Sequence, residues 1–152
     1  MANLKGSHYV ELRCSARLLA SLIYFFMVNL IIVGHSDFPS VLVKSAEEIL
    51  GSIEKLKVVP LYPSESKNDL KAKLKEAIKE LGFSDAILVL IDMFGGTPCN
   101  VALSFQKKYH LKIITGLNLP MLLEAVLHRE EEIEKLTLIV KEAAKKSVVE
   151  TW

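Results

Sequence analysis

Cysteine is scarce in this sequence: Cys14 and Cys99 are the two present, and neither belongs to a CxxC pair. That argues against a disulfide scaffold and fits a reducing compartment, so a cytoplasmic location is expected. No Cys/His cluster has zinc-site spacing, and neither a metal nor another cofactor is expected. Charge of one sign is lacking as well. Nineteen basic residues against 18 acidic ones leave a formal charge of +1, which gives no global electrostatic case for nucleic acid. Neither a GxGxxG nor a Walker A pattern occurs, which speaks against a plain nucleotide- or flavin-binding domain. No internal repeat or low-complexity linker divides the chain, and 152 residues suffice for one domain with a real core.

A long hydrophobic run is missing too. The apolar stretch from Leu18 to Val33 is interrupted by Ser21 and Asn29. It is short for a membrane span, which takes roughly 20 residues. Its second half, Val28 to Gly34, has the character of a buried β-strand ending in a glycine turn. Residues 1–26 are open to three readings: an upstream extension, a membrane-proximal anchor, or a signal peptide with a basic front and an apolar middle. Met27 stands cleanly at the start of the strand, which favours an extension followed by a domain over residues 27–152. Cleavage after the apolar run would destroy that strand.

What is present is an alternation of strands and helices. Pro39 suits the first turn of a helix, and Val43, Ala46, Ile49 and Leu50 follow at helical spacing before Gly51. Leu56 to Leu61 predicts a short strand. Ser66 to Asp69 resembles a capping box that opens an amphipathic helix with Leu70, Leu74, Ala77, Ile78 and Leu81 on one face, ended by Gly82. Ala86 to Ile91 is almost uninterruptedly apolar, as a strand covered on both faces would be. Thr97 is expected as a helix N-cap and Pro98 as the first helical residue. Leu111 to Thr115 predicts a fourth strand, followed by a Gly116–Pro120 turn and a helix through Leu127. Arg129 to Lys146 predicts a charged amphipathic helix with Ile133, Leu136, Ile139, Val140 and Ala143 inside. Val148 to Trp152 is left as a strand or a disordered tail. The order predicts an α/β, three-layer fold: a mainly parallel sheet with helices on both faces.

Ligands of open α/β sheets gather beyond the carboxyl ends of the strands. His35 follows the first strand, Asp92 and Gly95-Gly96-Thr97 follow the third, and the Gly116–Pro120 turn follows the fourth. Singly, each has a bland reading, as a loop residue, a strand-end carboxylate or a tight turn. Together they place an imidazole, a carboxylate and two helix starts on one rim. A neutral imidazole is nucleophilic through one ring nitrogen, and a carboxylate on the other N–H fixes the tautomer and stabilises positive charge during attack. Glycine-rich backbone and helix N-termini offer N–H donors to a phosphoryl group, and Thr97 adds a hydroxyl. Cys99 is expected to be a small buried residue. His8, His110 and His128 are expected on the solvated surface, as is the Lys-rich face of residues 67–79.

Ile31-Ile32-Val33-Gly34-His35, Asp92 to Asn100 and Gly116 to Leu122 together resemble the mannose-type IIA domain of the bacterial sugar phosphotransferase system (PTS). The resemblance spans residues 27–128, and its most specific part is the Asp-aromatic-Gly-Gly-hydroxyl-Pro element. It implies a cytoplasmic phosphotransferase component that accepts a phosphoryl group from the phosphocarrier HPr on His35. It would pass the group to a IIB component, here a separate chain, and meet the membrane only indirectly, through IIC and IID. Asp92 matches the supporting aspartate and Thr97 the hydroxyl beside the double glycine. Gly95, Gly96, Thr97 and Ser36 are the expected phosphate-binding residues. The family typically forms homodimers that exchange a C-terminal antiparallel strand, which here would come from the last residues. Two positions depart from the family pattern: Ser36 stands where glycine is usual, and Pro39 where alanine or similar is usual. Two alternative functions stay open, a regulatory phosphoprotein of an incomplete system and the phosphotransfer subunit of a dihydroxyacetone kinase. The Gly-Gly-Thr-Pro and Asn-Leu-Pro-Met elements speak against the second.

Overall fold

A computed structural model describes residues 27–82 and 85–151; the three readings of residues 1–26 lie outside them. The elements run β1 (Asn29–His35), α1 (Phe38–Leu50), β2 (Leu56–Leu61), α2 (Lys67–Leu81), β3 (Ile87–Ile91), α3 (Thr97–Leu103), β4 (Leu111–Thr115), α4 (Leu119–Leu127) and α5 (Ile133–Lys146). All strand pairings are parallel, in the order β2-β1-β3-β4. This is the three-layer α/β fold expected from the apolar strand pattern.

Period-two alternation divides each central strand between two cores. Ile31 and Val33 of β1, with Val89 and Ile91 of β3, pack against Leu70, Leu74 and Ile78 of α2 and Val101 of α3. Leu30 and Ile32, with Leu88 and Leu90, pack on the other face against α1, α4 and α5. Both faces are covered, so every residue of β3 is buried. That is why the strand is written as an unbroken apolar run. Truncating one of these Leu or Ile side chains to Ala is expected to cost about 2–5 kcal/mol.

Three local expectations are corrected. Gly96, not Thr97, is the N-cap of α3, so Thr97 is its first helical residue and Pro98 its second. Two glycines in succession let the backbone turn one residue earlier than a hydroxyl cap requires. Ile49 is exposed rather than inward, because α1 buries the narrower face of Pro39, Val43 and Ala46. The last helix begins at Ile133, not Arg129. The tail residues 148–151 form no strand in the single chain, and Val148 and Val149 are exposed.

Arg129 leaves the helix because its guanidinium is needed inside. It is buried and donates to Val28 O from Nε (3.2 Å) and Nη2 (3.1 Å), to Glu54 O (2.5 Å) and to Lys55 O (2.9 Å). Its own carbonyl accepts from the Val28 amide at 2.8 Å. One cation thus gathers the entry ends of β1 and β2, whose exit ends carry the site. Arg129→Met would strand these carbonyls without their charged donor, and a loss of about 2–4 kcal/mol is expected. Urea unfolding should show a lower midpoint at an unchanged slope; an unchanged midpoint would show that the bonds contribute nothing net.

Candidate functional site

The chain leaves β1 toward β2 on one side and later returns to β3 on the other, so the strand order reverses between β1 and β3. The crevice beyond their carboxyl ends is the place where such sheets hold ligands. Val33 and Ile91 are paired across this boundary. One residue beyond the end of β3 comes Asp92, and two residues after Val33, at the end of β1, comes His35.

The two side chains meet there. His35 Nδ1 lies 2.7 Å from Asp92 Oδ2, and the same oxygen accepts the His35 main-chain N–H at 2.8 Å. The second carboxylate oxygen accepts the Met93 amide at 2.8 Å. An ionised carboxylate only accepts, so Nδ1 is the nitrogen that carries the proton, and in the neutral imidazole Nε2 then keeps its lone pair. The Asp92 side chain is 14% exposed and that of His35 46%: the orienting group is sheltered while the ring is open to a reactant.

Two glycines make room for the pair, and neither is required there by its backbone angles. A Cβ on Gly34 would stand 3.1 Å from Asp92 Oδ2, and one on Gly96 would stand 3.3 Å from His35 Cε1. Gly95, by contrast, has φ +81°, the left-handed conformation that a glycine adopts without cost. Asn100 Nδ2 donates to Gly95 O at 3.1 Å and steadies this turn from inside α3. On the far side, the Leu117 amide donates to Ile91 O at 3.0 Å, which ties the Gly116–Pro120 turn to the end of β3.

Of the expected site residues, His35, Asp92 and Gly96 are brought into direct proximity. Gly95 and Thr97 flank Gly96 on the same turn, and Thr97 is exposed. Ser36 is different: its amide already donates to Leu61 O at 2.8 Å, so that N–H is not offered to a ligand. Cys99 is buried and His110 exposed, as expected, whereas His128 is half-buried, with its Nε2 3.0 Å from Glu124 Oε2. Among the described residues no cluster of three His, Cys, Asp or Glu side chains could hold a metal. Gly34, the Met93 amide and Asn100 were not singled out by sequence reasoning. The signal for Gly34 was its place as the lone glycine in a strand interior, which marks a close approach.

The geometry predicts the outcome of Gly34→Ala. The new methyl must push aside a carboxylate oxygen that two N–H groups hold. In 15N imidazole spectra at pH 9 the wild type should show His35 as the Nδ1–H tautomer. The variant should show a mixture shifted toward Nε2–H. An unchanged spectrum in the folded variant would contradict the close fit.

Comparisons with known proteins identify the family. The family model for EIIA-man, described as PTS system fructose IIA component, matches residues 29–142. The fructose-specific EIIA component of Bacillus subtilis is 39% identical over 68% of this chain and 72% of its own length. The mannose-specific EIIAB component of Escherichia coli K12 is 29% identical over 80% of this chain, which spans 39% of that longer protein. Among solved structures, the phosphotransferase component EIIA of Streptococcus agalactiae superposes with a TM-score of 0.74 at 36% identity, covering 82% of this chain and 97% of that one. The mannose/sorbose-specific IIA subunit of Enterococcus faecalis gives 0.78 at 29% identity, covering 83% and 96%. The matched stretch contains His35, Asp92 and the double-glycine turn, and the chain therefore belongs to the mannose-type EIIA family, the phosphoryl carriers of sugar uptake through the phosphotransferase system.

Proposed function

We propose that this EIIA chain carries its phosphoryl group on Nε2 of His35, accepting it from HPr and passing it to a separate IIB component. The observation that supports this most is the 2.7 Å contact between Nδ1 and the Asp92 carboxylate. The Nε2 lone pair attacks phosphorus in line, the Nε2–P bond forms as the donor's N–P bond breaks, and the donor imidazole leaves with that electron pair. His35 keeps its Nδ1 proton throughout, so positive charge develops on its ring. Asp92 is already in place to stabilise that charge, with no reorganisation at the moment of transfer.

The surroundings fit a phosphoryl group on this nitrogen. Gly96 lies against Cε1, the ring carbon between Nδ1 and Nε2. The N–H groups of Thr97 and Cys99 in the first turn of α3 have no partners within the helix (Pro98 has no N–H), and the Thr97 hydroxyl stands beside them. These donors and the Gly95 amide would face the phosphoryl oxygens. Three large apolar side chains near the pair are exposed: Phe94 is 78% exposed, Met93 54% and Phe38 45%. Exposed apolar side chains of this kind suit a protein partner better than a free sugar. The outer edge of β4 and the apolar tail residues Val148 and Val149 are consistent with a homodimer completed by an exchanged strand. A cytoplasmic location follows from these partners, and among the described residues no helix is long and apolar enough to cross a membrane.

The test is the intact mass of the full chain after incubation with phosphorylated HPr. One acid-labile phosphoryl group is expected on the wild type and none on His35→Ala; labelling of that variant would refute the site. Asp92→Asn should fold normally and accept the group slower by on the order of 10² or more, because tautomer control and charge stabilisation are both lost. An unchanged rate would remove Asp92 from the mechanism.

A further inference from the structure

His35 is followed by a backbone conformation that its sequence does not favour. Ser36 has φ +50°, in the left-handed region that a residue with a Cβ disfavours. Such a turn persists only when its surroundings hold it. Two adjacent residues at the exit of β2 do so. The Leu61 carbonyl accepts the Ser36 amide at 2.8 Å, and the Tyr62 hydroxyl donates to Asp37 Oδ1 at 3.0 Å.

Asp37 makes the second contact informative. It is the N-cap of α1, where an aspartate ordinarily accepts from the amides of the first turn, yet its side chain makes no capping bond. The carboxylate is turned to Tyr62 instead. Tyr62 is in turn held from behind. Its amide donates to Glu65 Oε2 at 2.9 Å, and its carbonyl accepts from the Glu65 amide at 3.0 Å. Lys73 Nζ lies 5.3 Å from its ring centroid, pairs with Glu65 and donates to Pro60 O at 3.1 Å. The hydrogen bond to Asp37 is also the main reason why the phenol's pKa is raised above the ordinary tyrosine value, with smaller contributions from burial and from the charges of Asp37 and Glu65.

We infer that Tyr62 is a positioning residue for His35: by holding Asp37 it keeps Ser36 left-handed, and so keeps the imidazole aimed between Asp92 and Gly96. The inference rests on His35 being the phosphoryl-carrying residue. Tyr62→Phe in the full chain preserves the ring and deletes the donor. Phosphoryl uptake from phosphorylated HPr, followed by rapid quench and intact mass, is expected to slow about three- to tenfold, the range of one hydrogen bond. The 15N ring signals of His35 should move with it. Adding Ser36→Gly, which removes the cost of the left-handed turn, should return the rate to within about twofold of wild type. Asp37→Ala removes the acceptor instead of the donor and should show the same loss and the same rescue, which covers the case in which Tyr62→Phe fails to fold.

An unchanged rate with unchanged His35 signals in Tyr62→Phe would overturn the inference. So would a loss that Ser36→Gly leaves in place, since Tyr62 would then act other than through the turn. If the wild type itself takes up no phosphoryl group, the reading of His35 fails separately, and the 15N signals alone decide whether Tyr62 aims the ring.

Discussion

The site depends on one carboxylate that holds a histidine at two points. Asp92 Oδ2 accepts both the main-chain N–H and the ring Nδ1–H of His35, while Oδ1 is occupied by the next amide of its own chain. The ring is therefore fixed in position by the strand end and in orientation by the same oxygen. Tautomer, aim and charge stabilisation all follow from this arrangement. No step of the proposed transfer asks the protein to move a proton.

The rest of the fold serves that contact. Parallel pairing of β1 with β3 brings residues 57 positions apart to one crevice. The pair also needs empty volume, which Gly34 supplies beneath the carboxylate and Gly96 beside the ring. At the opposite end of the sheet, Arg129 joins the entry points of β1 and β2. Its burial thus fixes the register of the two strands whose exits hold His35, Leu61 and Tyr62. A stability defect at Arg129 and a positioning defect at Tyr62 would act on the same two strands from opposite ends.

The strands and most helices were legible because two-sided burial leaves a plain mark: Leu88, Val89 and Leu90 tolerate no polar neighbour inside the sheet. The capping box at Ser66 and Asp69 was legible for a similarly local reason, since both of its bonds lie within four residues. His35 and Asp92 were legible as strand-end residues, and their contact was implied by topology. What escaped notice depends on distant partners. Arg129 reads as the first residue of a charged helix because nothing nearby in sequence shows that three carbonyls, all of them more than 70 positions away, await it. Tyr62 carries no local signal, because its acceptor is 25 residues earlier. Gly34 reads as a turn glycine, although its purpose is to leave room for a side chain from another strand. The one-residue error at Thr97 has the opposite origin: two glycines made the earlier turn as easy as a hydroxyl cap.

The most direct test of the central claim is the chemical identity of the phosphorylated histidine. Correlated 31P–15N spectra of the 15N-labelled full chain, phosphorylated through HPr, distinguish phosphorus on Nε2 from phosphorus on Nδ1. With Nδ1 held by Asp92, the phosphoryl group is predicted on Nε2 of His35, with the Nδ1 proton retained. Phosphorus on Nδ1, or on any other residue, would contradict the account, because the contact on which the site is built would have to break before transfer.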